Sequence, residues 1–171
     1  MSRQKTLDLL STGKTLWNRW RRENAEIQAF EPDLHAADLH GMDLNGADLH
    51  EADLTEANLQ GADLRKADLR ETDLRHADLR SANLSDANLL KARLHGADLR
   101  GAILCRTNLK GADFSNAGLR GADLDEAILD KANFDEANLS RRDLGEADPS
   151  KLQEAKERIL VSVAVQSGKA A

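Results

Sequence analysis

Ala47-Asp48-Leu49-His50-Glu51-Ala52-Asp53-Leu54-Thr55-Glu56-Ala57-Asn58-Leu59-Gln60-Gly61-Ala62-Asp63-Leu64-Arg65-Lys66 is one five-residue phrase written four times. The phrase continues in register in both directions. Leu stands at every fifth position from Leu34 to Leu144, with Phe114 and Phe134 as the only substitutes, giving 23 uninterrupted repeats. Two residues before each centre is usually Ala, and one before is usually Asp or Asn. A helix cannot use this period: at about 100° per residue, steps of five scatter the leucines around the cylinder. A long strand fails as well, because an odd step alternates between its two faces. A short strand followed by a corner does work. Ala and Leu point inward, Asp or Asn points outward, and the two remaining residues turn the chain. They are largely Gly, Ser, Asp, Glu, Lys or Arg, as at Gly46, Gly61, Ser81, Gly101 and Gly121. The period predicts a solenoid filled by Leu and Ala.

The runs Ala47-Asp48-Leu49-His50-Glu51 and Ala62-Asp63-Leu64-Arg65-Lys66 match A-[DN]-L-x-x, and on them the chain resembles the pentapeptide-repeat proteins. The resemblance covers about two-thirds of the sequence. It implies an all-β solenoid, a right-handed quadrilateral parallel β-helix with four repeats, or 20 residues, in each coil. The repeats would then make nearly six coils, roughly 28 Å long at about 4.8 Å between stacked strands. Phe114 and Phe134, 20 positions apart, should stack on one side of the core. Met42, Thr72, Thr107 and Arg142 occupy the small inward position and mark departures from the pattern.

Three segments follow: an N-terminal helical cap at 1–30, the β-helix at 31–148, and a C-terminal helical cap at 149–171. Both prolines, Pro32 and Pro149, fall at the rod's ends. Residues 5 to 28 read as helix, with Leu16, Trp17 and Trp20 as apolar anchors and Arg19, Arg21 and Arg22 on the solvated side. Gly13-Lys14-Thr15 is not a phosphate loop, because Asp8 stands where that motif needs Gly and no strand precedes it. Ser150-Lys151-Leu152-Gln153 reads as a capping box. Leu152, Ala155, Ile159 and Val163 form a stripe on the helix that follows. It is either a lid on the last coil or, with Leu160, Val161 and Val165, a dimer contact, so a monomer or a dimer is expected; Ile159, Leu160 and Val163 are the candidate residues.

Aromatic residues are only 3% of the chain, so small repeated units rather than large rings must fill the core. The formal net charge of −6 argues against nucleic-acid binding, which needs clustered Lys and Arg. The single cysteine, Cys105, excludes an internal disulfide framework and fits a reducing, cytoplasmic setting. The start of the chain is too polar for a signal peptide, and no apolar run is long enough to span a membrane. Charge is banded: 9 acids and no Lys or Arg from Glu31 to Leu64, 11 basic and 7 acidic residues from Arg65 to Arg120, then 9 acids and 3 basic residues to Asp148.

Arg80, Arg100 and Arg120 should stack on one face and are the candidate strip for a protein partner, although Asp78 and Asp98 on that face could offset them. His35, His40, His50, His76 and His95 fall on turn positions and build no designed metal site; His35 and His95 share a face but lie three coils apart. Cys105 is expected as an exposed corner thiol with no adjacent base. No catalytic residue and no cofactor are expected, because a filled rod leaves no concave site. The expected role is non-enzymatic, a protein-interaction or scaffold module for an unidentified protein partner. The resemblance implies a second possibility, a DNA-mimicking dimer that binds DNA gyrase and protects or inhibits it. The Arg-containing middle and the lack of projecting loops count against that role. A regulatory role, as in cyanobacterial relatives, is a third.

Overall fold

Where Asp or Asn precedes the central residue, each backbone N–H of the repeat has its own acceptor, and that explains why the phrase is five residues long. The computed structural model describes residues 3–24 and 31–138. In the repeat ending at Lys66, the Leu64 N–H donates to Asn83 O at 2.8 Å and the Lys66 N–H to Ser85 O at 3.1 Å, both in the following coil. The Asp63 N–H donates backward to Met42 O at 3.0 Å, and the Ala67 N–H closes the corner on Leu64 O at 3.1 Å. The fifth, on Arg65, is taken by the Asp63 carboxylate at 3.1 Å. This last bond recurs wherever Asp or Asn precedes the central residue from Asp33 to Asn133. The outward Asp or Asn thus replaces a ladder bond that the corner geometry removes.

Parallel bridges join residues 20 apart from Asp33↔Asp53 to Gly118↔Asn138, as expected for four repeats in each coil. The bridged residues define four faces. The first runs Asp33, Asp53, Asp73, Arg93, Asp113, Asn133; the second Asp38, Asn58, Asp78, Asp98, Gly118, Asn138. The third and fourth start at Asp43 and Asp48. The last residue of each repeat takes positive φ at the corner, including non-glycines such as Glu56 at 58° and His76 at 59°. A left-handed residue costs about 1–2 kcal/mol in a non-glycine. The cost is offset here by a corner hydrogen bond and a buried Leu in every repeat.

Inside, Leu and Ala are buried along the whole described rod. Phe114 and Phe134 stack with ring centroids 5.0 Å apart and planes 7° from parallel. Thr72 and Thr107, in the small inward position, are fully buried, and their hydroxyls donate to Leu49 O and Leu84 O, both at 2.8 Å. Met42 is partly buried against the core. Arg142 lies outside the described residues, as do Pro149, the C-terminal segment and Ile159, Leu160 and Val163.

The N-terminal helix expected over 5–28 is two helices, α1 (Arg3–Ser11) and α2 (Lys14–Glu23), and residues 25–28 of that expectation are outside the described residues. Gly13, at φ 103°, separates them. The assignment of sides is also corrected. Trp17 is fully buried and Trp20 partly so, but Leu16 is 45% exposed. Arg21, expected in solvent, lies along the rod with its side chain only 12% exposed and its Nη2 on His50 O at 2.5 Å. The reason is that a first coil has no preceding coil, so its outer backbone groups need substitutes. α2 supplies them on the fourth face. Trp17 Nε1 donates to Asp48 O at 2.7 Å, Asn18 Oδ1 accepts the Asp48 N–H at 2.9 Å, and Asn18 Nδ2 donates to Gly46 O at 2.8 Å.

Candidate protein-interaction surface

On the second face the residue after each central Leu runs His40, Gln60, Arg80, Arg100, Arg120. The geometry follows from a shorter motif inside the repeat, Asp-Leu-Arg. Alternation puts Asp and Arg on the same side two residues apart, and a guanidinium spans that gap with two donors. Arg80 therefore meets Asp78 through Nε at 2.8 Å and Nη2 at 2.6 Å, and its Nε lies 3.8 Å from Asp98 in the following coil. Arg100 meets Asp98 through Nε at 2.8 Å and Nη2 at 2.5 Å. Arg65–Asp63, Arg70–Asp68 and Arg75–Asp73 repeat the arrangement on the other three faces.

Hydrogen bonds from the guanidinium hold Asp63, Asp78 and Asp98 below the usual carboxylate range. At Asp68 and Asp73 burial pushes the carboxyl upward, yet the bonds from Arg70 and Arg75 outweigh it and the net displacement is down. Asp73, the most enclosed of these with a side chain 9% exposed, also faces Arg93 at 3.3 Å from the following coil. Lys91–Glu71 and Arg106–Asp86 complete a set of pairs across the middle band. The band that reads as basic in sequence is thus largely neutralised by its own acids. This was legible as Asp-Leu-Arg at 63–65, 68–70, 73–75, 78–80 and 98–100, a shorter motif than the coil spacing that draws attention to the stack.

Arg120 is the exception. Gly118 stands where its Asp would be, and among the described residues it is the one rod arginine without a carboxylate partner. The stack of Arg80, Arg100 and Arg120 consists of two paired guanidiniums and one open one.

Cys105 differs from expectation. It is half-buried rather than exposed, and its thiol donates to the Asp123 carboxylate at 2.9 Å. Burial, then the hydrogen bond and charge of Asp123, push it up to about 11. The acid lies 18 residues away, one coil on, which is why no neighbouring residue announced it. His76 and His95 meet edge to face with centroids 5.6 Å apart, a contact between adjacent coils that the comparison of His35 with His95 did not anticipate. No group of three or more His, Cys, Asp or Glu among the described residues could hold a metal ion. A cleft of about 360 Å³ beside α2 is lined by Thr15, Asn18, Arg22 and Asp48. Among the described residues no helix is long and apolar enough to cross a membrane.

A rod of stacked five-residue turns, filled by Leu and Ala and stitched by outward Asp and Asn, defines a class of repeat β-helix. The chain belongs to the pentapeptide-repeat family: the family's sequence profile, pentapeptide repeats, matches 8 copies over residues 33–70, 67–104, 92–130 and 102–141. Among solved structures it is similar to the pentapeptide repeat protein Rfr23 from the cyanobacterium Cyanothece 51142. The two are 30% identical with a TM-score of 0.63, over 77% of this chain and 97% of that one. It is also similar to HetL from the cyanobacterium Nostoc sp. strain PCC 7120, a protein involved in heterocyst differentiation regulation. There the identity is 33% and the TM-score 0.42, over 63% of this chain and 60% of that one. QnrB1, a plasmid-mediated fluoroquinolone resistance protein, is 24% identical with a TM-score of 0.38, over 67% of this chain and 73% of that one. A comparison with curated proteins gives no match.

Proposed function

We propose that the chain is a non-enzymatic interaction module, a rod of nearly six coils with helical segments at 1–30 and 149–171 closing its ends, whose second face receives an acidic protein partner. One observation supports the reading above others: Arg80, Arg100 and Arg120 fall in one column on a flat face, and the last of them has no counter-charge among the described residues. A core filled with Leu and Ala leaves the outside of the rod as the place where recognition can act, and function in such a fold resides in that surface. The rigid backbone keeps the column in place before a partner arrives, which reduces the ordering cost of binding.

The test is affinity capture with the wild type beside a variant carrying Arg80→Glu, Arg100→Glu and Arg120→Glu. A partner retained by the wild type and lost by the variant is the expected result; equal retention removes the second face from consideration. The gyrase reading gains nothing from the likeness to QnrB1, which is too distant to carry it. A duplex-like surface needs unpaired negative charge along the rod, whereas Asp63, Asp68, Asp73, Asp78 and Asp98 each hold an arginine. The expected outcome of a gyrase supercoiling assay is neither inhibition nor protection.

A further inference from the structure

Gly118 is unlike the other rod glycines. Those at 41, 46, 61, 96, 101, 111 and 121 have positive φ at corners, whereas Gly118 lies in the bridged, outward position where any residue fits. A Cβ built on it would meet only ordinary contacts, Asp98 Oδ1 at 3.5 Å and Arg100 Cγ at 3.8 Å. Neither the backbone nor its neighbours therefore require glycine there. What the glycine removes is an Asp side chain with two defined tasks in this fold. Two coils below, the Asp78 carboxylate accepts the Arg80 N–H at 3.1 Å and pairs with the Arg80 guanidinium. One coil below, Asp98 does the same for Arg100, with the N–H at 3.2 Å. At Arg120 both the N–H and the guanidinium lack a protein acceptor among the described residues. Arg80 Nε also approaches Asp98 from the coil below at 3.8 Å, so by the repeat Arg100 stands in that relation to the side chain that Gly118 does not supply.

We propose that the gap beside Gly118 is a docking niche for one carboxylate of an acidic protein segment, an Asp or Glu side chain that takes the place of the carboxyl this repeat does not provide. The incoming group would accept the Arg120 N–H and pair with the Arg120 guanidinium, as Asp78 and Asp98 do for their own repeats. The favourable charge is local: Asp98 is already engaged by Arg100, leaving Arg120 as the open positive group of the column. This inference rests on the reading of the second face as the partner surface and names the point on it where a partner's acid is held.

The experiment uses the full chain, isotope-labelled, titrated with an N-acetylated, C-amidated tetra-aspartate peptide and followed by NMR. Saturable shifts at the Arg120 amide and Nε–H are expected. Gly118→Asp refills the niche from within and should weaken peptide binding about tenfold, as should Arg120→Ala, while Gly118→Ala and Lys110→Ala leave it within about twofold. Gly118→Asp carries the residue type that the fold uses at this position, so loss of folding is not expected, and the dispersion of its spectrum checks this. Peptide binding equal in Gly118→Asp and wild type overturns the niche. If the variant with all three arginines changed to Glu loses that binding, the broader reading of the face survives. If that variant binds as well as wild type, both fail. An Arg120 amide already at the Gly118→Asp position in the free wild type would mean that the chain fills the niche itself, and also overturns the proposal.

Discussion

The outward Asp or Asn of each repeat is a structural donor-catcher before it is a charge. Its side-chain oxygen takes the one N–H that the ladder leaves over, so at this position Asn can replace Asp but an apolar residue gives up the bond. Thr72 shows the opposite tolerance. Its hydroxyl reaches Leu49 O, which already accepts the Ala52 N–H, so Thr72→Ala strands no buried group. Chemical denaturation should find a change below about 1 kcal/mol for that substitution. Gly96 is less forgiving: at φ 67° a Cβ would lie 2.6 Å from His76 Nδ1, and Gly96→Ala should cost about 1–2 kcal/mol in the same measurement and displace the His76 ring from His95. Cys105, pushed up to about 11, should react with iodoacetamide at pH 8 on the order of a hundredfold slower than an unperturbed thiol. Asp123→Asn removes the adjacent negative charge and should speed that reaction, and an unchanged rate would leave burial as the sole cause.

At the scale of an element, α2 does for the first coil what each coil does for the next. Asn18 offers an amide oxygen and an amide nitrogen in the manner of a peptide group, while Trp17 and Arg21 reach two further carbonyls. The helix therefore substitutes for a strand on one face without continuing the sheet. Both tryptophans of the chain lie in α2, so their fluorescence reports its docking selectively. Asn18→Ala should lower stability by about 1 kcal/mol and shift Trp emission to longer wavelength at denaturant concentrations that leave the far-ultraviolet signal of the rod intact. Coincident transitions by both probes would show instead that α2 and the rod unfold as one unit.

The whole rod is a one-dimensional stack, and its surface depends on the 20-residue phase. Removing one coil, residues 53–72, keeps every remaining residue on its own face and leaves Arg80, Arg100 and Arg120 in one column, so the protein should stay folded with reduced thermal stability. Removing only five residues, 83–87, rotates all later faces by a quarter turn and puts Arg100 and Arg120 on a different face from Arg80. Circular dichroism would find both deletions folded, whereas binding to an acidic partner should survive only the first. The ion pairs add a pH dependence whose sign is fixed. Asp63, Asp68, Asp73, Asp78 and Asp98 titrate below their unfolded values, so the unfolded chain binds more protons in the interval between the two. Their contribution is complete above the unfolded carboxylate value of about 3.9 and is lost as pH falls through the lowered folded values. Melting temperature should be flat from about pH 5 to 7 and fall below about pH 4, less steeply in high salt.

The sequence alone determined the period, the inward Leu and Ala, the outward Asp and Asn and the stacking of Phe114 on Phe134. Each is a relation within five residues or at a fixed multiple of five, and hydrophobic periodicity enforces it. It also held the Asp-Leu-Arg pairs that neutralise most of the basic band, of which the offset by Asp78 and Asp98 was the part anticipated. Only the tertiary structure decided the burial of Arg21 and exposure of Leu16, the seating of Asn18 against Asp48, the Cys105 thiol on Asp123 and the His76–His95 contact. These depend on which backbone groups the first coil leaves open and on side chains from separate coils meeting at a corner, where local pattern sets no preference and distance in three dimensions does.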